Sequence, residues 1–228
     1  MIIRFNIRYV VVFLLLLVVM MELHEIVHIV TGWLICGCWG PRDFNVWALC
    51  PGCETNHSFA WLATFTGPLF SFALMWLGMF WLRSVNPKMV MIGFALIFSN
   101  IPFGRITTVM MGGGDEMVVV RHFLKETTSR AAMIIIGTAI VLILGLPPLL
   151  GAFRKIRNPK AWLCFIGFLT LPLAFLLCYT LMGLNSLLAL GFLSDPYFLG
   201  TPLLISLHTM AALAALIWLR KDLFLLQA

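Results

Sequence analysis

The stretch YVVVFLLLLVVMMELHEIVHIVTGWL, residues 9–34, decides the class of this chain. Its first half is apolar without a break, and the whole run exceeds the roughly 20 residues that a bilayer-crossing helix needs. The rest of the chain agrees. Of 228 residues, 62% are hydrophobic and 11% charged, against about 45–50% and about 25% in a soluble domain. So few charges cannot cover a water-facing surface, which excludes a soluble enzyme. A disordered chain needs the opposite composition, and an outer-membrane barrel shows short alternating strands where this chain has continuous runs. The opening residues, MIIRFNIR and the apolar run, have the look of a signal peptide. No small-residue cleavage site follows, however, and the run passes straight into a polar motif, so it is read as a spanning helix. The expected fold is an all-α polytopic membrane protein.

About six transmembrane helices are expected. After residues 9–34 come 59–82, 89–111 and 131–153, and the long apolar stretch 161–219 divides into two spans near Ser194-Asp195-Pro196, where the Asp-Pro step favours a turn. Residues 35–58, rich in Gly, Pro, Cys and Trp, are too polar to span and too apolar for a free loop. They are expected to form a re-entrant or hairpin segment after the first helix. The third span is interrupted by Asn100, Pro102, Gly104 and Arg105, and three glycines, Gly112 to Gly114, precede a short polar helix from Asp115 to about Lys125. Residues 1–130 form the expected core, of three membrane segments plus the hairpin, and 131–228 a C-terminal region of three spans.

The chemistry concentrates in Glu22-Leu23-His24-Glu25-Ile26-Val27-His28. Residues four apart share one face of a helix, so His24 and His28 can both reach one metal ion. Glu25 sits beside them, where its carboxylate can take a proton from a water that such a metal activates. Two histidines and two glutamates inside an apolar span are costly in hydrocarbon unless they are paired or hold a metal. Glu22 is expected to hydrogen-bond a histidine or to face the headgroups. A catalytic zinc usually takes three protein ligands and keeps one position open. Asp115, after its three glycines, is the candidate for the third ligand, with an N-capping role for the helix that follows as the alternative. Glu116, His57 and His122 are weaker candidates.

An H-E-x-x-H in an early membrane helix resembles the site-2 protease family of intramembrane zinc metalloproteases. A Gly-Pro pair early in the following helix is similar too, here Thr66-Gly67-Pro68-Leu69, and so is an Asn and Pro in the next helix followed by an aspartate, here Asn100, Pro102 and Asp115. The likeness covers about residues 9–126. It implies that His24, His28 and Asp115 hold Zn2+, that Glu25 is the general base, and that Asn100 helps to polarise the substrate carbonyl. Where the family usually has Asp-Gly, this chain has Asp115-Glu116. The implied activity is hydrolysis of peptide bonds in or near a transmembrane segment of a membrane protein substrate. Such a segment must unwind first, and Pro102, Gly104 and Gly112 to Gly114 free backbone groups that could pair with it. Two rival readings are a non-catalytic transporter or pseudoprotease that binds ions with the same cluster, and a zinc hydrolase acting on a lipid-like substrate. The charge-free second, fourth and fifth spans speak against a transporter.

The net charge of +6 reads as a topology signal, because the basic residues sit at segment ends and not along a stripe that would bind nucleic acid. With six spans, Arg4, Arg8, Arg83, Lys88, Arg154, Lys155, Arg157, Lys160, Arg220 and Lys221 fall on one side. Arg42, Arg105, Arg121, Lys125 and Arg130 fall on the other. Ten against five places the N-terminus in the cytoplasm, although the family generally has its zinc nearer the cytosol. Cys36, Cys38, Cys50 and Cys53 admit disulfides, free thiols or a structural zinc site, whereas Cys164 and Cys178 read as packing residues. No separate soluble domain is expected, so substrate selection falls to the membrane segments or to a regulatory membrane partner.

Overall fold

In hydrocarbon every backbone N–H and C=O needs a partner within its own segment, so the apolar runs fold as helices. The computed structural model describes residues 1–3 and 6–224; Arg4 of the charge count lies outside them. Among the described residues, six helices are long and apolar enough to cross a membrane: Ile7–Cys36, Trp61–Trp81, Pro87–Met110, Arg130–Lys155, Ala161–Ala189 and Leu203–Phe224. They coincide with the expected spans. The protein is an all-α, multi-pass membrane protein.

The first span is α1 (Ile7–Cys36), and a short helix, α2 (Cys53–Asn56), lies in the connection that leads to α3 (Trp61–Trp81). The third span is two helices, α4 (Pro87–Ser99) and α5 (Pro102–Met110). Pro102 has no N–H to continue the ladder, and Ile101 before it adopts a left-handed φ of 51°, a conformation that costs a β-branched residue about 1–3 kcal/mol. Asn100 repairs part of the break by donating from Nδ2 to the Leu96 carbonyl at 2.8 Å. The polar helix is α6 (Asp115–Leu124), followed by α7 (Arg130–Lys155), where Ser129 Oγ caps the Ala132 N–H. The fifth span runs from α8 (Ala161–Phe175) through a π-helical segment, Leu176–Leu184, into α9 (Asn185–Ala189). A small antiparallel ladder, β1 (Pro196–Phe198) with β2 (Thr201–Pro202), turns the chain into α10 (Leu203–Leu219) and a final 3-10 turn, Arg220–Phe224.

α1 packs against α3 and α10, α3 against α4, α6 and α7, and α5 against α7. The broken third span is 67% buried and the last two spans 11%, so the break lies at the centre and the C-terminal spans at the lipid-facing periphery. Because lipid tails are as apolar as leucine, close packing has to hold the helices together. Interlocked rings do this near the start of α1, where Phe168 meets Tyr9, Phe13, Phe94 and Phe98 edge-on or tilted at centroid distances of 6.1, 5.6, 4.9 and 5.4 Å.

The segment after α1 folds back as a stapled loop. Disulfides join Cys36 to Cys53 and Cys38 to Cys50, one nested inside the other, and Arg42 pairs with Trp47 in a single antiparallel bridge. Two cations of the charge count stand in ion pairs: Arg42 with Glu22, both buried, and Arg105 with Glu116, both half-buried. Cys164 packs beside the aromatic core, whereas Cys178 is exposed on the outer face and does not pack inside.

Candidate metal centre

The i, i+4 spacing on α1 puts His24 and His28 one above the other, with their rings 4.6 Å apart and perpendicular. α3 matches this spacing with small residues four apart: Ala63, Gly67 and Ser71. Ala63 O lies 2.6 Å from His28 Nδ1. A carbonyl only accepts, so that nitrogen carries the proton and Nε2 of a neutral His28 presents its lone pair inward. Gly67 lies against the His28 ring, where any side chain would collide with Nε2 and both neighbouring carbons. On the other histidine, Nδ1 of His24 lies 3.0 Å from Ser71 Oγ, which can accept its proton and leave Nε2 facing inward as well. Trp47 of the stapled loop stacks on His28 at 4.9 Å and closes the site from that side.

Asp115 arrives from the far end of the broken span. Gly112 and Gly114 adopt φ of 79° and 83°, values open to glycine and strained for other residues. The turn they make sets Asp115 at the first position of α6. Gly114 is the N-cap, so Asp115 is not the helix cap, and its carboxylate points back at the histidines. Oδ2 lies 3.2 Å from each Nε2, and the two Nε2 atoms are 3.0 Å apart. Burial pushes the Asp115 carboxyl up, but the hydrogen bonds with His24 and His28 outweigh it and hold the group below the usual carboxylate range.

This triangle fits a metal ion. Bonds of about 2.0–2.2 Å at tetrahedral angles imply ligand atoms roughly 3.3–3.5 Å apart, within a few tenths of an ångström of what is found. His24, His28 and Asp115 are the group among the described residues whose ligand atoms come together in this way. Two imidazole nitrogens and one carboxylate oxygen form a donor set suited to zinc, with a fourth position left to a small ligand.

Beside the triangle lies a cavity of about 220 Å³, bounded by Glu25, Asn100, Arg105 and Glu116 and by apolar side chains including Met20 and Leu176. Glu25 is 6% exposed and its Oε2 has no hydrogen-bond partner; Asn100 Oδ1 is buried and equally alone. Buried polar atoms without partners are scarce in folded proteins because each carries a desolvation penalty. Two of them, Glu25 Oε2 and Asn100 Oδ1, belong to residues that line this one cavity.

Glu22 does not bond a histidine, and it is buried inside the bundle. It makes a two-pronged pair with Arg42, at 2.8 and 2.9 Å, with both side chains buried. Of the weaker ligand candidates, Glu116 borders the same cavity but pairs with Arg105, His57 is exposed, and His122 stacks on Trp61 at 5.7 Å. Sequence reasoning missed Arg42, Trp47, Ser71 and Arg105. Two signals were there to use: a cation inside the third span, and small residues four apart on α3. No family model, curated protein or solved structure matches this chain.

Proposed function

We propose that this chain is an intramembrane zinc metalloprotease, hydrolysing peptide bonds in or near a transmembrane segment of a membrane protein. One observation carries the proposal: three ligand atoms on a triangle with edges of 3.0 to 3.2 Å, inside a membrane helix bundle, with the unpartnered Oε2 of Glu25 at the neighbouring cavity. The resemblance of the three motifs to site-2 proteases supports the same reading.

His24, His28 and Asp115 would hold a zinc ion, which would supply Lewis acidity to the scissile carbonyl and the attacking water. Glu25 takes the proton from that water and passes it to the leaving amine, a task for which a buried carboxylate with a free oxygen is placed. Asn100 donates one N–H to Leu96 O and keeps its second for the substrate carbonyl. The break at Asn100-Ile101-Pro102 leaves room beside the site for a strand that has lost its helical hydrogen bonds.

The orientation we propose has the N-terminus in the cytoplasm and the metal centre near the outer or lumenal side. Removing the ion-paired Arg42 and Arg105 from the charge count sharpens the basic bias of the opposite side. Two disulfides at the metal-centre end suit an oxidising compartment.

The test is Glu25→Gln in the purified full chain, reconstituted with a transmembrane substrate. The expected result is unchanged zinc content and no cleavage. Cleavage at the wild-type rate would overturn the role of Glu25, and a wild type that takes up no zinc would overturn the function.

A further inference from the structure

We propose that Arg105 is a positioning residue for the metal centre, acting through Glu116 to hold Asp115 against the two histidines; this rests on the metalloprotease reading above. Arg105 belongs to α5, inside a span where an unpaired cation is costly, and its side chain is 14% exposed. Its guanidinium ties together the pieces that must meet. Nη1 donates to Glu116 Oε1 at 2.9 Å, and Nη2 donates to Ser71 Oγ at 2.8 Å while lying 3.0 Å from His24 Nδ1. Nε reaches the Asn100 carbonyl at 3.3 Å, next to the break in the span.

Asp115 needs such a tie. It follows a glycine turn, the most freely rotating kind of backbone, with no side-chain cap at the start of α6. Holding its carboxylate at 3.2 Å from two nitrogens requires α6 to be anchored close by, and the next residue is the anchor. Glu116 is 9% exposed and is bound to the cation from α5 on the other side of the glycines. Through Ser71 the same cation bears on His24, because the serine oxygen that accepts from Arg105 is also the acceptor available to Nδ1. One fork therefore bears on the third ligand through Glu116 and stands beside the ring of the first. A lysine has the charge but lacks the planar fork that reaches Glu116 and Ser71 together.

The experiment titrates Co2+ into the full chain in detergent, with affinity and the visible absorption of the bound ion as readouts. Wild type, Arg105→Gln, Arg105→Lys, Glu116→Gln and the Arg105→Gln, Glu116→Gln double variant are compared. Loss of a residue that orients a ligand lowers metal affinity about 10- to 100-fold, and that is the expected loss for each Gln variant. The double variant should lose no more than the worse single, because the two side chains act as one unit. Arg105→Lys should recover part of the affinity, with an altered spectrum. If Arg105→Gln does not fold, Glu116→Gln, close in shape to the native residue, decides alone. Wild-type affinity and spectrum in the Gln variants would overturn the positioning role while leaving the metal centre intact, and so would losses that simply add. A wild type that binds no Co2+ would overturn the metal centre, and this proposal with it.

Discussion

Gly67→Ala adds one methyl group, and the sign of its effect discriminates between readings of α3. In an ordinary helix interior the change stabilises by about 0.5–1 kcal/mol, because alanine loses less backbone freedom on folding. Here the new Cβ would fall on the imidazole of His28, at Nε2 and both adjacent carbons. The ring has no free side to retreat to. It is 0% exposed, bonded through Nδ1 to Ala63 O and covered by Trp47. Overpacking of this kind costs about 1–3 kcal/mol, which reverses the sign of the ordinary effect. It also moves Nε2 by about an ångström, half the length of a bond of roughly 2.0–2.1 Å from imidazole to zinc. One of three ligands is then lost, and affinity should fall at least the roughly 10- to 100-fold seen when only a supporting group is removed. The assay is zinc competition against a chelator, with thermal unfolding of the zinc-free protein in the same detergent. Gly67→Ala that is more stable than wild type and binds zinc equally well would refute the packing of His28 on α3.

Three more outcomes are expected. Asp115→Asn should lose most zinc and most cleavage, since the amide lacks the charge that helps hold the cation; metal analysis checks this, and near-normal zinc would remove Asp115 from the ligand set. Arg42→Met leaves the Glu22 carboxylate buried without its partner, which should lower stability by about 3–5 kcal/mol, whereas Arg42→Met with Glu22→Gln should restore much of it; equilibrium unfolding of both variants is the measurement. Reducing the two disulfides frees a loop whose outer cysteines are 17 residues apart, a closure worth about 3 kcal/mol, so limited proteolysis should cut residues 37–58 far faster in reductant than without it.

The spans were legible because lipid makes each one a local property. A helix in hydrocarbon satisfies its own backbone, so an apolar run of sufficient length is enough to announce it. The pairing of His24 with His28 is local in the same way, four residues apart on one helix face. The glycine run before Asp115 was a local sign of a sharp turn, and the structure brings that carboxylate to both imidazoles.

What belongs to two helices at once was out of reach. Arg42 and Arg105 entered the charge count unpaired, because a charge in a sequence does not name its partner; Glu22 and Glu116 were identified only once the stapled loop had folded onto α1 and the glycine turn had brought Glu116 back to Arg105. Cys36, Cys38, Cys50 and Cys53 admit three pairings on spacing alone, and loop geometry chose 36 with 53 and 38 with 50. Asp115 as ligand or as helix cap was undecided along the chain, since both roles take the same residue at the same place. The folded structure gives the N-cap to Gly114 and turns the Asp115 carboxylate to His24 and His28 of α1, residues remote in sequence that only packing brings within 3.2 Å.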